Sequence, residues 1–144
     1  MLKLKKILKL FLVLSVFVVT GCAVYSAHDD MIHNKYLSAD PFPNPNSPYV
    51  GTWTTNMVGG LVCIKINPDG TAKYCQNKMN GTVEKIYAKI YKDANGDLFL
   101  INEAGVRYKI IDYSSNYIDT TAYGSKFRFI PGAKSANCED FLRN

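Results

Sequence analysis

Residues 62–75 read VCIKINPDGTAKYC, and the fold is decided there. Apolar side chains alternate with lysine on both sides of Asn67-Pro68-Asp69-Gly70. Strict alternation has the period of a strand buried on one face. The central residues fit a type I turn whose last residue, Gly70, takes the left-handed conformation as a bulge. Such a turn sets the register: Asn67 faces Thr71, so Ile66 faces Ala72, Ile64 faces Tyr74 and Cys63 faces Cys75. One face then carries Val62, Ile64, Ile66, Ala72 and Tyr74, and the other Lys65 and Lys73.

The same turn form recurs at Asp93-Ala94-Asn95-Gly96 and at Asn102-Glu103-Ala104-Gly105. The first sets Ile90 against Leu100 and Tyr91 against Phe99; the second sets Leu100 against Tyr108 and Leu98 against Ile110. Independent turns thus agree on one inner face of Ile86, Ala88, Ile90, Leu98, Leu100, Tyr108 and Ile110. Further strands are expected at Val50–Met57, Tyr117–Ala122 and Lys126–Ile130, with Phe127 and Phe129 inward. No segment after Tyr49 reads as a convincing helix. About eight antiparallel strands on short loops suit an all-β fold, an up-and-down barrel or a tightly curved sandwich.

At the entry strand, Tyr49-Val50-Gly51-Thr52-Trp53 resembles the Gly-x-Trp start of lipocalin-like barrels. The resemblance implies a small antiparallel barrel with Trp53, the single tryptophan, closing one end. The chain is shorter than a typical lipocalin and shows no evident C-terminal helix.

Ahead of this domain, Lys3, Lys5, Lys6 and Lys9 precede an uncharged run from Leu10 to Val19. A basic start followed by a short apolar run is the layout of a secretory signal, and the run is about half the ~20 residues a spanning helix needs. Val19-Thr20-Gly21-Cys22 resembles the lipobox of bacterial lipoproteins, with Val19 and Thr20 in place of the commoner Leu and Ala or Ser. The resemblance implies cleavage before Cys22, acylation of that cysteine and anchoring in the cell envelope. With Ala23 next in line it implies the outer membrane rather than the inner. The expected organisation is a signal peptide over 1–21, a Pro-rich lipid-anchored tether over 22–48 and a β-barrel domain over 49–144.

Removing the signal changes the charge argument. Four of the 17 Lys and Arg leave with it and none of the 12 Asp and Glu, so the mature chain carries a net +1. Net charge therefore gives no reason to expect a nucleic-acid partner. Within the tether, His28, Asp29, Asp30 and His33 are metal-binding types, but nothing nearby fixes a geometry, and they read as solvated linker. No metal or other cofactor is implied.

Export places the domain where disulfides persist. Lipidation consumes Cys22 and leaves Cys63, Cys75 and Cys138. The register favours a Cys63–Cys75 bridge, with Cys138 as the alternative partner for either. Both histidines lie in the tether, so no Ser-His-Asp arrangement is expected in the domain. Asp93, Asp97, Glu103, Asp112 and Asp119 fall mostly at turns, where solvation explains them. A non-enzymatic binding protein is the expectation.

Two sites for such binding compete. The register turns Tyr87, Lys89, Tyr91, Phe99, Ile101, Arg107 and Lys109 outward on adjacent strands, a possible interaction surface for an envelope protein. Alternatively the barrel carries a small apolar ligand or lipid, although its large inward residues favour a filled core. Ala104 to Tyr108 also weakly resembles the Ser-Gly-x-x-Tyr loop of membrane-anchored lysozyme inhibitors, with Ala104 where the functional serine stands. Their second loop has only a loose counterpart in Tyr123-Gly124-Ser125-Lys126. Lysozyme inhibition is the further alternative that resemblance implies.

Overall fold

The turns build the sheet as their residues dictate. In each of the three, the residue after the glycine and the first turn residue pair through the backbone: Asn67 N to Thr71 O at 2.8 Å, Asp93 N to Asp97 O at 2.9 Å, Asn102 N to Val106 O at 3.1 Å. Side chains lock the loops, with Asp93 Oδ1 accepting from Asn95 N and Asp97 N, and Asn102 Oδ1 from Val106 N. A fourth loop, Lys78 to Thr82, has the same form, with Gly81 N donating to Lys78 O.

In the computed structural model, residues 36–132 and 135–143 are described. They form β1 Gly51–Met57, β2 Gly60–Ile66, β3 Thr71–Lys78, β4 Val83–Lys92, β5 Leu98–Asn102, β6 Arg107–Tyr113, β7 Ile118–Ala122, β8 Ser125–Pro131 and a helix α1 Ala136–Arg143. Each strand pairs antiparallel with the next, and β1 meets β8 through Trp53↔Pro131 and Thr54↔Ile130, closing an up-and-down barrel. Closure leaves no free sheet edge. Every pairing derived from the three turns is present, including Ile64↔Tyr74, Cys63↔Cys75, Tyr91↔Phe99 and Leu98↔Ile110. The inner face forms one continuous core, with Val62, Ile64, Ile66, Ile90, Leu100 and Phe129 almost wholly buried. In β6 the register shifts between Ile110 and Asp112, which turns Ile111 outward and brings Tyr113 opposite Ile118.

Call one end of the barrel the closed end; it holds the β2–β3, β4–β5 and β6–β7 turns. Residues 36–48, expected as the last part of a free tether, form a strap on the barrel instead. Phe42 N donates to Ile90 O at 2.8 Å and Asn44 N to Pro68 O at 3.1 Å. Phe42 packs on the core, and Tyr49 lies buried beside Tyr113 with ring centroids 5.2 Å apart. Trp53 Nε1 donates to Tyr49 O at 2.8 Å, so the buried tryptophan helps seal this end as the Gly-x-Trp resemblance implies.

Helix α1 and the disulfide correct two expectations. Cys75 bonds Cys138, with Cα atoms 5.8 Å apart, while Cys63 is a free, buried thiol. Directly opposed side chains stand side by side on a pleated sheet, whereas a third element laid across the sheet approaches from above. Helix α1 does this: Cys138 and Leu142, one turn apart, face down onto Cys63 and Cys75, flanked by Leu61, Val83 and Phe141. Lysines on the wall hold its C-terminal carbonyls, with Lys73 Nζ donating to Phe141 O at 3.0 Å and Lys65 Nζ to Arg143 O at 3.4 Å. The C-terminal tail, expected to hold no evident helix, is therefore a docked helix.

Candidate functional site

Opposite the closed end, the β1–β2, β3–β4, β5–β6 and β7–β8 turns surround a mouth. Alternation along the strands puts Met57, Tyr74, Gln76, Tyr108 and Phe127 at its inner wall. Together with Val58, Val106, Tyr123 and Ser125 they line a cavity of about 340 Å³. That is at the lower end of the ~300–1,000 Å³ typical of small-molecule sites. Below it the core is filled, so the cavity is a cup and not a channel.

Two phenols form the floor. Tyr74 and Tyr108 stack with centroids 6.3 Å apart, and their hydroxyls lie 3.3 Å from each other. Tyr74 Oη also donates to Gln76 Oε1 at 3.4 Å, and Tyr108 Oη to Met57 Sδ at 3.7 Å. Phe127 and Phe129 meet the Tyr108 ring edge-on. Burial pushes both phenols' pKa upward, and at Tyr108 the facing Tyr74 hydroxyl adds to the effect. The floor therefore stays neutral and presents weak hydrogen-bonding groups in an apolar, aromatic cup. The cup's described lining offers phenols, an amide and a hydroxyl, and no carboxylate, imidazole or thiol.

The proposed outer surface is placed as the register requires, but the chain itself covers part of it. Tyr91, Phe99 and Ile101 are buried beneath Tyr36 and Ala39 of the strap. Lys89 Nζ donates to Ala39 O at 2.7 Å and lies 4.4 Å from the Tyr36 ring centroid. Arg107 stacks over Phe99, Lys109 pairs with Asp97, and exposed Tyr87 meets Phe141 of α1 edge-on. Much of the supposed interface is thus satisfied within the molecule.

The carboxylates have structural partners as well. Asp119 takes two hydrogen bonds from Arg128 at 2.7 Å each, which hold its carboxyl below the usual range. Asp112 accepts from Tyr117 Oη at 2.7 Å, and Glu103 Oε2 from Tyr87 N at 3.0 Å. Among the described residues, no group of three or more His, Cys, Asp and Glu could hold a metal ion. Cys22, His28, Asp29, Asp30 and His33 lie outside the described residues.

Sequence reasoning turned Tyr74 and Tyr108 inward but passed over them as a site. The available signal was two hydroxyl-bearing rings on an otherwise aliphatic inner face, since a buried phenol needs a partner. Met57, Gln76 and Tyr123 carried no such mark.

Fold and site define a small eight-stranded up-and-down barrel with one sealed end and one aromatic mouth. A solved structure similar in fold is the lipoprotein YedD from Klebsiella pneumoniae subsp. pneumoniae, at a TM-score of 0.54 and 14% identity, with 75% of this chain and 92% of that one covered. At that identity the likeness is one of fold. No family model matches the chain, and no curated protein matches its sequence.

Proposed function

We propose that the protein is a lipid-anchored lipoprotein of the cell envelope that binds a ligand at the mouth of its barrel and does not convert it. The cup over the Tyr74–Tyr108 pair carries this reading: it is apolar, sized for a small group and floored by neutral phenols. The lipobox-like Val19-Thr20-Gly21-Cys22 supports the anchor, and the fold resembles that of a lipoprotein. The ligand class is a small apolar or aromatic molecule, or one end of a lipid. The filled core beneath favours this shallow mode over enclosure of a whole lipid.

Native mass spectrometry of the full protein, extracted from its own membranes, tests the binding. A retained small molecule is expected, and Val106→Trp, which fills the cup, should lose it. Wild-type protein that comes free of any ligand counts against the reading. For the anchor, Cys22→Ala should release the protein from membranes, and a variant that stays bound refutes lipidation at Cys22.

A second reading keeps the mouth but changes the occupant. Both loops that loosely resemble those of lysozyme inhibitors, Ala104–Tyr108 and Tyr123–Lys126, belong to this end of the barrel. A protein could insert a side chain into the same cup. Undiminished activity of several lysozymes in the presence of excess protein removes this reading.

A further inference from the structure

The two ends of the barrel differ in chemistry as well as in closure. At the closed end the turn tips are Pro68-Asp69, Ala94-Asn95 and Ser115-Asn116, the residues expected of solvated turns. At the open end three of the four turns present a large apolar side chain instead: Val58, Met79 and Tyr123, at 103%, 87% and 55% exposure. Tyr123 also sits at φ 51°, in the left-handed region where asparagine or glycine is the ordinary choice for a two-residue hairpin. A strained residue that keeps a bulky ring at an exposed tip marks a position held for what the ring meets. Lys78, Lys85, Lys126 and Arg107 stand near this end against Glu84 and Glu103, a local excess of positive charge.

The strap gives the direction. From the closed end it climbs the outer face of β4 and β5, and its first described residue, Tyr36, packs on Tyr91, Phe99 and Ile101 beside Lys89. Residues 23–35 separate it from Cys22, a stretch that reaches at most roughly 50 Å when fully extended. A stretch of that length lets the open end reach the bilayer that holds Cys22.

We infer that the open end docks on the surface of the bilayer that holds the acyl anchor, with Val58, Met79 and Tyr123 entering the interfacial region. This rests on the lipid-anchor reading. Methionine, valine and tyrosine are suited to that zone, tyrosine through a ring that is apolar in body and polar at its tip, and the lysines suit anionic headgroups. The mouth then opens onto lipid, and a ligand passes between membrane and cup without crossing water.

The test uses the full lipidated protein in vesicles of phosphatidylethanolamine and phosphatidylglycerol, with and without brominated acyl chains. Val58→Trp places a reporter at the open end and Ala94→Trp one at the closed end; native Trp53 is buried and supplies the background. Several-fold stronger quenching at position 58 than at 94 is expected. Protein that floats with the vesicles but shows no excess quenching at 58 overturns the docking while leaving the anchor intact. So does a position 58 that crosslinks to an envelope protein and is not quenched by lipid. Failure to float overturns the anchor reading, and this inference with it.

Discussion

Replacing Cys138 by alanine should destabilise the domain by about 4 kcal/mol. The Cys75–Cys138 bridge spans a sequence separation of 63 residues, and the loop-closure entropy it removes from the unfolded chain amounts to about 4 kcal/mol at 25 °C. For a domain of this size the melting temperature should fall on the order of 20 °C. Helix α1 should then leave the wall. Its eight residues are fewer than the ~12–15 an isolated helix needs, so the bond and the burial of Leu142 hold it.

The alternative bridge makes a sharper comparison. Cys63 and Cys75 are paired in the register, but that bridge would close a loop worth only about 3 kcal/mol by the same relation. Cys63→Ala removes a free thiol and should leave both the disulfide and the dye-binding surface unchanged. Thermal melts of oxidised protein, with peptide mapping by mass spectrometry and binding of a hydrophobic dye, measure all of this. A Cys63–Cys75 peptide in the wild type, or a Cys138→Ala protein that melts with it, refutes the reasoning.

Three further outcomes follow from the geometry. Gly70→Ala should cost more than Gly96→Ala: both have positive φ, but a Cβ at Gly70 would lie 2.6 Å from Phe42 O of the strap, whereas at Gly96 it meets only the Lys92 side chain at 3.6 Å. Urea titration of the pair reads this, and equal losses would mean that the strap is not seated there. Burial raises the Tyr74 and Tyr108 pKa above the ordinary phenol value of about 10, so their share of stability is complete below that pH and is lost as pH rises above it. Tyr108→Phe should therefore lose about 1 kcal/mol near neutrality from the hydroxyl contacts, yet fall less steeply than the wild type between pH 10 and 11.5; parallel pH curves count against the buried pair. Finally, Tyr36→Ala with Ala39→Asp should lift the strap from Tyr91, Phe99 and Ile101, seen as faster proteolysis before Phe42; unchanged cleavage refutes its docking.

Legibility of the fold followed its locality. A glycine that must be left-handed announces a turn, and a turn fixes the pairing of the strands beside it, so Gly70, Gly96 and Gly105 made most of the barrel readable. Asn80-Gly81 offered the same signal for β3–β4. What escaped is held by partners distant in sequence. The strap has no period of its own, and Tyr36 becomes ordered by Ile101 and Phe99. Helix α1 has barely two turns, too few for a periodicity to stand out, and its position depends on Cys75. The Ile111 bulge changes which residues face inward without any mark in the sequence. Register placed Tyr74 and Tyr108 inside, but the cup needs Met57 from β1 and Phe127 from β8, which only closure brings together.

The molecule spends its accessory segments unevenly. The strap, Tyr49 and Trp53 seal one end, and α1 covers one wall over the free Cys63. At the other end the described residues leave two phenols at the bottom of a cup and apolar side chains at the turn tips. Local rules would choose otherwise at both: Asn-Gly is the ordinary occupant of a two-residue turn such as Tyr123-Gly124, and aliphatic floor residues would spare the desolvation of two hydroxyls. Sequences that obey local rules throughout and break them in one place tend to break them where they act. Val58, Met79, Tyr123 and the Tyr74–Tyr108 pair lie together at the same end of the barrel. That coincidence is the reason for placing the binding site at the mouth, ahead of the outer face of β4–β6.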